Sequence, residues 1–232
     1  MSDKSWWSGF TEFAAARLPD LWAATVEHLW ISALAVFLGC LVAIPVGILL
    51  ANSSNRYLKS ITFGVANLFQ TIPSLALLAL LIPLMGIGMK PAIFALFLYA
   101  LLPLLRNTYA GMESADRSIL EAAKGMGYGP LQRIMFIQLP IALPYIISGI
   151  RVTTVYIISW TTLASLIGGG GLGVLIFSGL GVNKDELIFL GAFAAIVLAL
   201  LADFVLGQVE KWSTRKKPLA AAPTSTSPSA AA

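Results

Sequence analysis

The feature that most constrains this chain is a series of apolar windows, each bounded by charge. An α-helix needs about 20 residues to cross roughly 30 Å of hydrocarbon. Five windows of this kind occur: residues 29–50, residues 61–85, residues 92–105 with an extension to 110, a fourth that starts after Pro140 or Pro144 and ends at Gly168, and residues 187–207. A further apolar piece, residues 172–180, lies between glycine-rich stretches and is too short to cross, so a re-entrant or interfacial segment is expected there. Backbone N–H and C=O groups cannot stay unpaired in lipid, so the windows predict an all-α, polytopic membrane protein with about five transmembrane helices. Composition supports this: 58% of the 232 residues are hydrophobic and 11% are charged, against about 25% charged in soluble domains. A water-soluble enzyme and a disordered regulator are thereby excluded. The single cysteine, Cys40, excludes an internal disulfide framework.

Charge placement sets the expected orientation. With the N-terminus outside, the outer segments carry Lys4, Arg17, Lys90 and Lys184. The inner ones carry Arg56, Lys59, Arg106, Arg117, Lys124, Arg133, Lys211, Arg215, Lys216 and Lys217, and Arg151 falls within a span. Basic residues concentrate on the cytoplasmic side, so N-out, C-in is predicted. The net charge of +4 then reports topology and membrane lipid, not nucleic acid. Residues 1–28 form an expected outer, interfacial segment without a signal-peptide pattern, anchored by Trp6, Trp7 and Phe10. Residues 29–207 form the transmembrane domain. Residues 208–232 are a basic segment followed, from Pro218, by an Ala, Pro, Ser and Thr tail expected to be disordered.

The longest hydrophilic connection, residues 106–140, is an expected cytoplasmic loop. Ile119, Leu120, Ala123 and Met126 recur at helical spacing and predict a short helix over residues 118–126. Gly127 and Gly129 end it, and Pro130 suits the first turn of a second helix over residues 131–138. By pattern alone this is either an amphipathic elbow on the membrane or a docking element for a soluble partner, with small alanines and a charged Glu121.

The order Glu121, Ala122, Ala123, three residues, Gly127, nine residues, Ile137, one residue, Leu139 and Pro140 resembles the EAA loop of membrane subunits of bacterial ABC importers. The stretch from Gln70 through Thr71, Ile72 and Pro73 to Ser74, the run Leu101 to Thr108, and Ile167 to Gly173 resemble the branch that imports glycine betaine, carnitine, choline and related osmoprotectants. The resemblance covers about residues 29–207. It implies a methionine-importer-like permease fold in the bacterial cytoplasmic membrane, with Glu121, Ala122, Ala123 and Gly127 contacting the ATPase. It also implies a cytoplasmic ABC ATPase dimer, a second permease subunit (a copy or a paralogue), and a periplasmic or lipid-anchored substrate-binding protein. The sequence has no Gly-x-x-x-x-Gly-Lys-Ser/Thr phosphate loop, so no cofactor is expected on this chain and ATP would be used by the partner.

Polar groups inside spans are costly, and each calls for a role. Asn67, Gln70, Thr71 and Ser74 cluster beside Pro73, either as a satisfied kink or as lining of a translocation path. On the fourth span, Thr154, Thr161 and Ser165 fall within roughly 40° of one another on a 3.6-residue helix, a stripe suited to helix contact or to the path. Tyr156 and Trp160 could offer aromatic faces to a quaternary ammonium. Arg151 and Asp203 are expected to pair, or else Arg151 snorkels to the interface. His28 is expected at the outer interface and Cys40 in the core. An ATP-independent secondary transporter or channel is the alternative function. However, the chain has no internal repeat and no carboxylate near the expected midplane to bind coupling ions. One histidine, one cysteine and no clustered carboxylates provide no catalytic set and no metal site.

Overall fold

The computed structural model describes residues 6–215, and every regular element among them is helical. Trp6 and Trp7 side chains and the tail from residue 216 lie outside what is described, as does the expectation of a disordered tail. Helix α1 (Trp6–Ala16) turns at Arg17 into α2 (Leu18–Asn52). Pro19 sits in the first turn of α2, where a missing N–H leaves no helical bond unmade. The 35 residues of α2 exceed the about 20 that a bilayer needs, so the helix projects beyond the hydrocarbon.

Asn55 caps the next helix, α3 (Arg56–Thr71), its side-chain oxygen accepting the Tyr57 and Leu58 N–H groups at 2.9 and 3.2 Å. The window 61–85 does not form one continuous helix. It breaks at Ile72 and Pro73 into α3 and α4 (Ser74–Met85), whose axes are bent by 98°. Proline lacks the N–H that would continue the ladder and pushes the preceding residue out of the helical region; Ile72 adopts φ −69° and ψ 127°.

Helix α5 (Met89–Glu113) follows, then α6 (Arg117–Gly125) and α7 (Pro130–Arg133), and a π-helical turn over Ile134–Gln138 leads directly into α8 (Leu139–Ala164). After a 3₁₀ turn, Ser165–Ile167, come α9 (Gly173–Gly181) and α10 (Asp185–Arg215). Both neighbours of the long loop reach further into it than hydropathy suggested. Helix α5 runs past Arg106 to Glu113, and the second short helix is fused to α8, so only residues 114–129 protrude around α6. Among the described residues four helical stretches are long and apolar enough to cross, and the bent α3–α4 pair makes a fifth.

Lipid is as apolar as a protein core, so membrane helices associate through close packing at small residues. Gly39 of α2 faces Ala100 of α5, and Gly47 faces Thr108. Residue numbers rise together along this seam, so α2 and α5 run parallel and the bent pair must carry the chain back between them. Helix α8 is antiparallel to α5, with Gly149 against Asn107 and Ala142 and Tyr145 against Gly111. Ile31, Ala35, Ala100, Leu104, Ile157 and Ala164 form the buried centre, while Phe193, Leu200 and Phe204 of α10 stay exposed, as suits a surface facing lipid.

His28 is not interfacial. It is fully buried, and its Nδ1 accepts the Leu172 N–H at 3.2 Å, so Nε2 carries the proton and donates to the Ile158 carbonyl at 2.9 Å. Glu27 beside it accepts the Gly171 N–H at 2.8 Å. The glycine run is therefore fastened to α2. Gly168, Gly170 and Gly171 all have positive φ, which glycine adopts without strain. The short apolar piece is α9, packed along α10, with Gly179 against Leu187 and Ile188.

Candidate functional site

Three arrangements hold the residues singled out by sequence. The first is α6. The Asp116 carboxylate accepts the Ser118 N–H at 2.8 Å and starts the helix. At the other end, the Gly127 N–H donates to the Lys124 carbonyl and the Tyr128 N–H to the Ala123 carbonyl, each at 3.0 Å. Gly127, at φ +87°, occupies the left-handed position of this Schellman turn, a conformation that disfavours any residue with a Cβ. Gly129 has φ −68° and needs no such freedom. It begins α7, with the Gln132 side chain accepting its N–H at 2.8 Å. Glu121, Ala122 and Gly127 are exposed, whereas Ala123 is 1% exposed, and α6 packs against α7. The backbone N–H of Ser118 holds the Asp116 carboxyl below the usual carboxylate range. Nearby, Lys59 Nζ donates to Tyr109 Oη at 3.0 Å, and that hydroxyl donates to Glu113, tying the start of α3 to the end of α5.

The second arrangement surrounds the α3–α4 break. Gln70 Nε2 donates to the Tyr99 carbonyl at 3.0 Å, and Tyr99 Oη donates to the Ile72 carbonyl at 2.8 Å. Thr71 Oγ1 turns back to the Leu68 carbonyl at 2.8 Å. The Tyr99 ring stacks on Trp160 with centroids 5.3 Å apart, and Trp160 meets Tyr156 at 5.6 Å. Gln70, Tyr156 and Trp160 thus belong to one aromatic and carbonyl corner, joined by Tyr99, which sequence reasoning missed. Its signal was present, since Tyr99 lies four residues before Pro103 of α5. Ser74, half-buried at the start of α4, lies across the break. Thr154 is bonded to the Ile150 carbonyl of its own helix at 2.7 Å. From the same stripe, Thr161 meets Ser32 of α2 at 2.9 Å, while Ser165 bonds locally to the Thr162 carbonyl at 2.8 Å.

The third arrangement joins α8 to α10. Arg151 Nε and Nη2 donate to the two carboxylate oxygens of Asp203 at 2.7 and 2.8 Å, and Nη1 donates to Glu210 at 2.9 Å. Glu210 was not singled out by sequence, although it stands seven residues after Asp203, two helical turns along the same face. Gly207 lies between them and leaves room for the guanidinium.

A helical bundle with parallel α2 and α5, a broken span between them and a capped helix protruding at one end is the fold of solved ABC-transporter membrane subunits. A solved structure of the MetNI methionine ABC transporter in an inward-facing conformation superposes with a TM-score of 0.77 at 23% identity, covering 93% of this chain and 100% of that one. An amino acid ABC transporter crystallised with histidines gives a TM-score of 0.74 at 19% identity, over 88% and 98%.

Sequence comparison gives the particular family: the chain belongs to the binding-protein-dependent transport system inner membrane components, whose family model matches residues 43–215. Relatives include the choline transport system permease protein OpuBB of Bacillus subtilis, 46% identical over 200 residues and covering 86% of this chain and 91% of the relative. The glycine betaine/carnitine/choline permease OpuCB of the same organism is 46% identical over 85% and 90%. The osmoprotectant import permease OsmW of Salmonella typhimurium is 38% identical over 83% and 91%. Membership makes the chain an inner-membrane transport subunit and not an enzyme, with ATP consumed by a partner subunit.

Proposed function

We propose that this chain is the permease through which a quaternary ammonium osmoprotectant, such as glycine betaine, carnitine or choline, enters the cell. The observation that carries the substrate class is the 46% identity, across 86% of the chain, to a relative named for choline transport. In this reading the N-terminus lies outside and α6 lies in the cytoplasm. Glu121, Ala122 and Gly127 present the exposed docking face to an ABC ATPase dimer, and Ala123, buried, holds α6 against α7. The π turn at Ile134–Gln138 joins this region to α8, so a push on α6 is delivered to a spanning helix.

A second permease subunit, copy or paralogue, completes the path, and a separate substrate-binding protein delivers the solute. Within the path, Gln70, Thr71, Ser74, Thr154, Tyr156 and Trp160 are the assigned lining candidates. The Tyr156 and Trp160 rings offer cation–π attraction to a trimethylammonium group. Arg151 and Asp203 serve as a brace between α8 and α10.

The test is uptake of labelled glycine betaine, carnitine, choline and proline betaine in cells lacking this gene, with and without complementation. Complementation should restore uptake of at least one compound, and uptake should stop when ATP is depleted while the ion gradient is kept. Uptake that survives ATP depletion, or restoration of none of the panel, overturns the reading.

A further inference from the structure

Two prolines leave carbonyls without partners in the middle of the bundle, and the chain resolves both with one pair of residues. Pro103 has no N–H, so the Tyr99 carbonyl, four residues earlier in α5, loses its helical donor. Gln70 Nε2 supplies one at 3.0 Å. The break before Pro73 likewise leaves the Ile72 carbonyl outside any helix, and Tyr99 Oη supplies its donor at 2.8 Å. The two bonds are reciprocal: Gln70 of α3 serves the kink in α5, and Tyr99 of α5 serves the break after α3. In a water-poor interior an unpartnered carbonyl is costly, so the two distortions hold one another in place. Tyr99 is 3% exposed, and its ring face is committed to Trp160 of α8. A single side chain therefore meets the broken span through its hydroxyl and the aromatic wall through its ring.

We propose that Tyr99 is a positioning residue for substrate selection: it fixes the α3–α4 corner relative to the Trp160 ring and so sets which ammonium group the corner passes. This rests on the quaternary ammonium reading above. Interrupted helices are where transporters place cationic groups, and here the Pro103 kink, the Pro73 break and the Trp160 ring meet at Tyr99, with Tyr156 against the far side of that contact on Trp160. The corner is partly negative from its carbonyls and the ring faces, with no full charge from any side chain among Gln70, Tyr99, Tyr156 and Trp160. That combination favours a soft, weakly hydrated cation over a strongly hydrated one.

The experiment measures maximal uptake rates of choline, glycine betaine and proline betaine in the complete transporter, for wild type, Tyr99→Phe, Tyr99→Leu, Trp160→Leu and the Tyr99→Leu/Trp160→Leu pair. Membrane levels are matched by immunoblot. Tyr99→Leu and Trp160→Leu are expected to change the ratio of choline to glycine betaine rates in the same direction by about threefold or more, the scale of an altered cation–π contact. The double variant should change it no further than the larger single effect, since both act on one element. Tyr99→Phe keeps the stack and folds most readily. It should change the ratio less while lowering every rate, because the Ile72 carbonyl loses its donor. If every variant lowers all substrates by one common factor, Tyr99 is only structural and the proposal fails. Should wild type transport none of the panel, the functional reading itself fails, which is a different result.

Discussion

Arg151 grips Asp203 with two parallel hydrogen bonds, Nε to Oδ1 at 2.7 Å and Nη2 to Oδ2 at 2.8 Å, and uses its remaining nitrogen on Glu210 at 2.9 Å. The fork of the guanidinium matches a carboxylate edge to edge, which a lysine could not do. One cation on α8 thereby serves two anions two turns apart on α10, and the arrangement is asymmetric. Loss of Arg151 exposes two carboxylates to each other, whereas loss of Asp203 leaves Arg151 with Glu210.

The first prediction follows from that asymmetry. Arg151→Met should lower the melting temperature in detergent more than Asp203→Asn does, and the double variant Asp203→Asn/Glu210→Gln should fall between or below, depending on the stranded cation. Exchanging Arg151 and Asp203 should restore stability only in part, because Glu210 then faces the relocated aspartate. Equal melting temperatures for Arg151→Met and Asp203→Asn would show that Glu210 contributes nothing.

A second prediction concerns the start of α6. The Ser118 N–H holds the Asp116 carboxyl below the usual carboxylate range, so the native state favours its ionised form. Stabilisation from this cap is fully present above the unfolded value of about 3.9 and is lost as pH falls through the lower, native value. Hydrogen-exchange protection of the α6 amides, corrected for intrinsic rates, should therefore decline only at acid pH. Asp116→Asn keeps an acceptor oxygen and should flatten the profile, and Asp116→Ala should reduce protection at every pH.

The seam between α5 and α8 allows a sharper test. A Cβ at Gly149 would stand 2.6 Å from the Asn107 Cβ, closer than such atoms ever pack, and Asn107 is held by its bond to the Pro103 carbonyl at 2.8 Å. Gly149→Ala should cost about 1–3 kcal/mol of stability, the usual range for overpacking a tight contact. Asn107→Gly, which removes the Cβ that is struck, should recover part of that loss in the double variant. Full stability of Gly149→Ala would mean that the two helices can separate at no cost.

The protruding helix carries the fourth prediction. Glu121→Ala removes an exposed carboxylate and should leave the melting temperature unchanged while weakening co-purification of the ATPase by about tenfold, as for a contact at the centre of an interface. Gly127→Ala acts differently. It forces a Cβ into φ +87° at about 1–2 kcal/mol, so its turn should loosen and coupling should fall even though no charge is lost. Substrate-stimulated ATP hydrolysis and the melting temperature, measured together, separate the two effects.

The fold class was legible because lipid makes the backbone requirement absolute: apolar windows bounded by charge have to be helices. The α6 helix was equally legible, since Ile119, Leu120, Ala123 and Met126 recur at helical spacing and the glycine at 127 and Pro130 each carry a local conformational preference; its cap, Asp116, was not picked out. Other features depended on neighbours distant in sequence. His28 looked interfacial from its place at the end of an apolar window, yet Leu172 and Ile158 bury it. A kink at Pro73 was legible, but hydropathy does not register how sharp a bend is, and the 98° break has its Ile72 carbonyl partnered by Tyr99 of another helix. Glu210 was overlooked because its value lies in a shared partner on α8.

By itself, then, the sequence determined that this chain is helical, crosses a membrane about five times and protrudes a capped helix between two spans. Those are consequences of solvation and local backbone preference, which act within a few turns of chain. The pairing of Arg151 with Asp203 was one of two expectations from sequence, and the structure chose it; tertiary structure alone decided the other polar meetings: Gln70 with Tyr99, Tyr99 with Ile72 and Trp160, Arg151 with Glu210. In an interior with little water each such group must find a partner, and the partner can lie tens of residues away, where only the packing of helices brings it within reach.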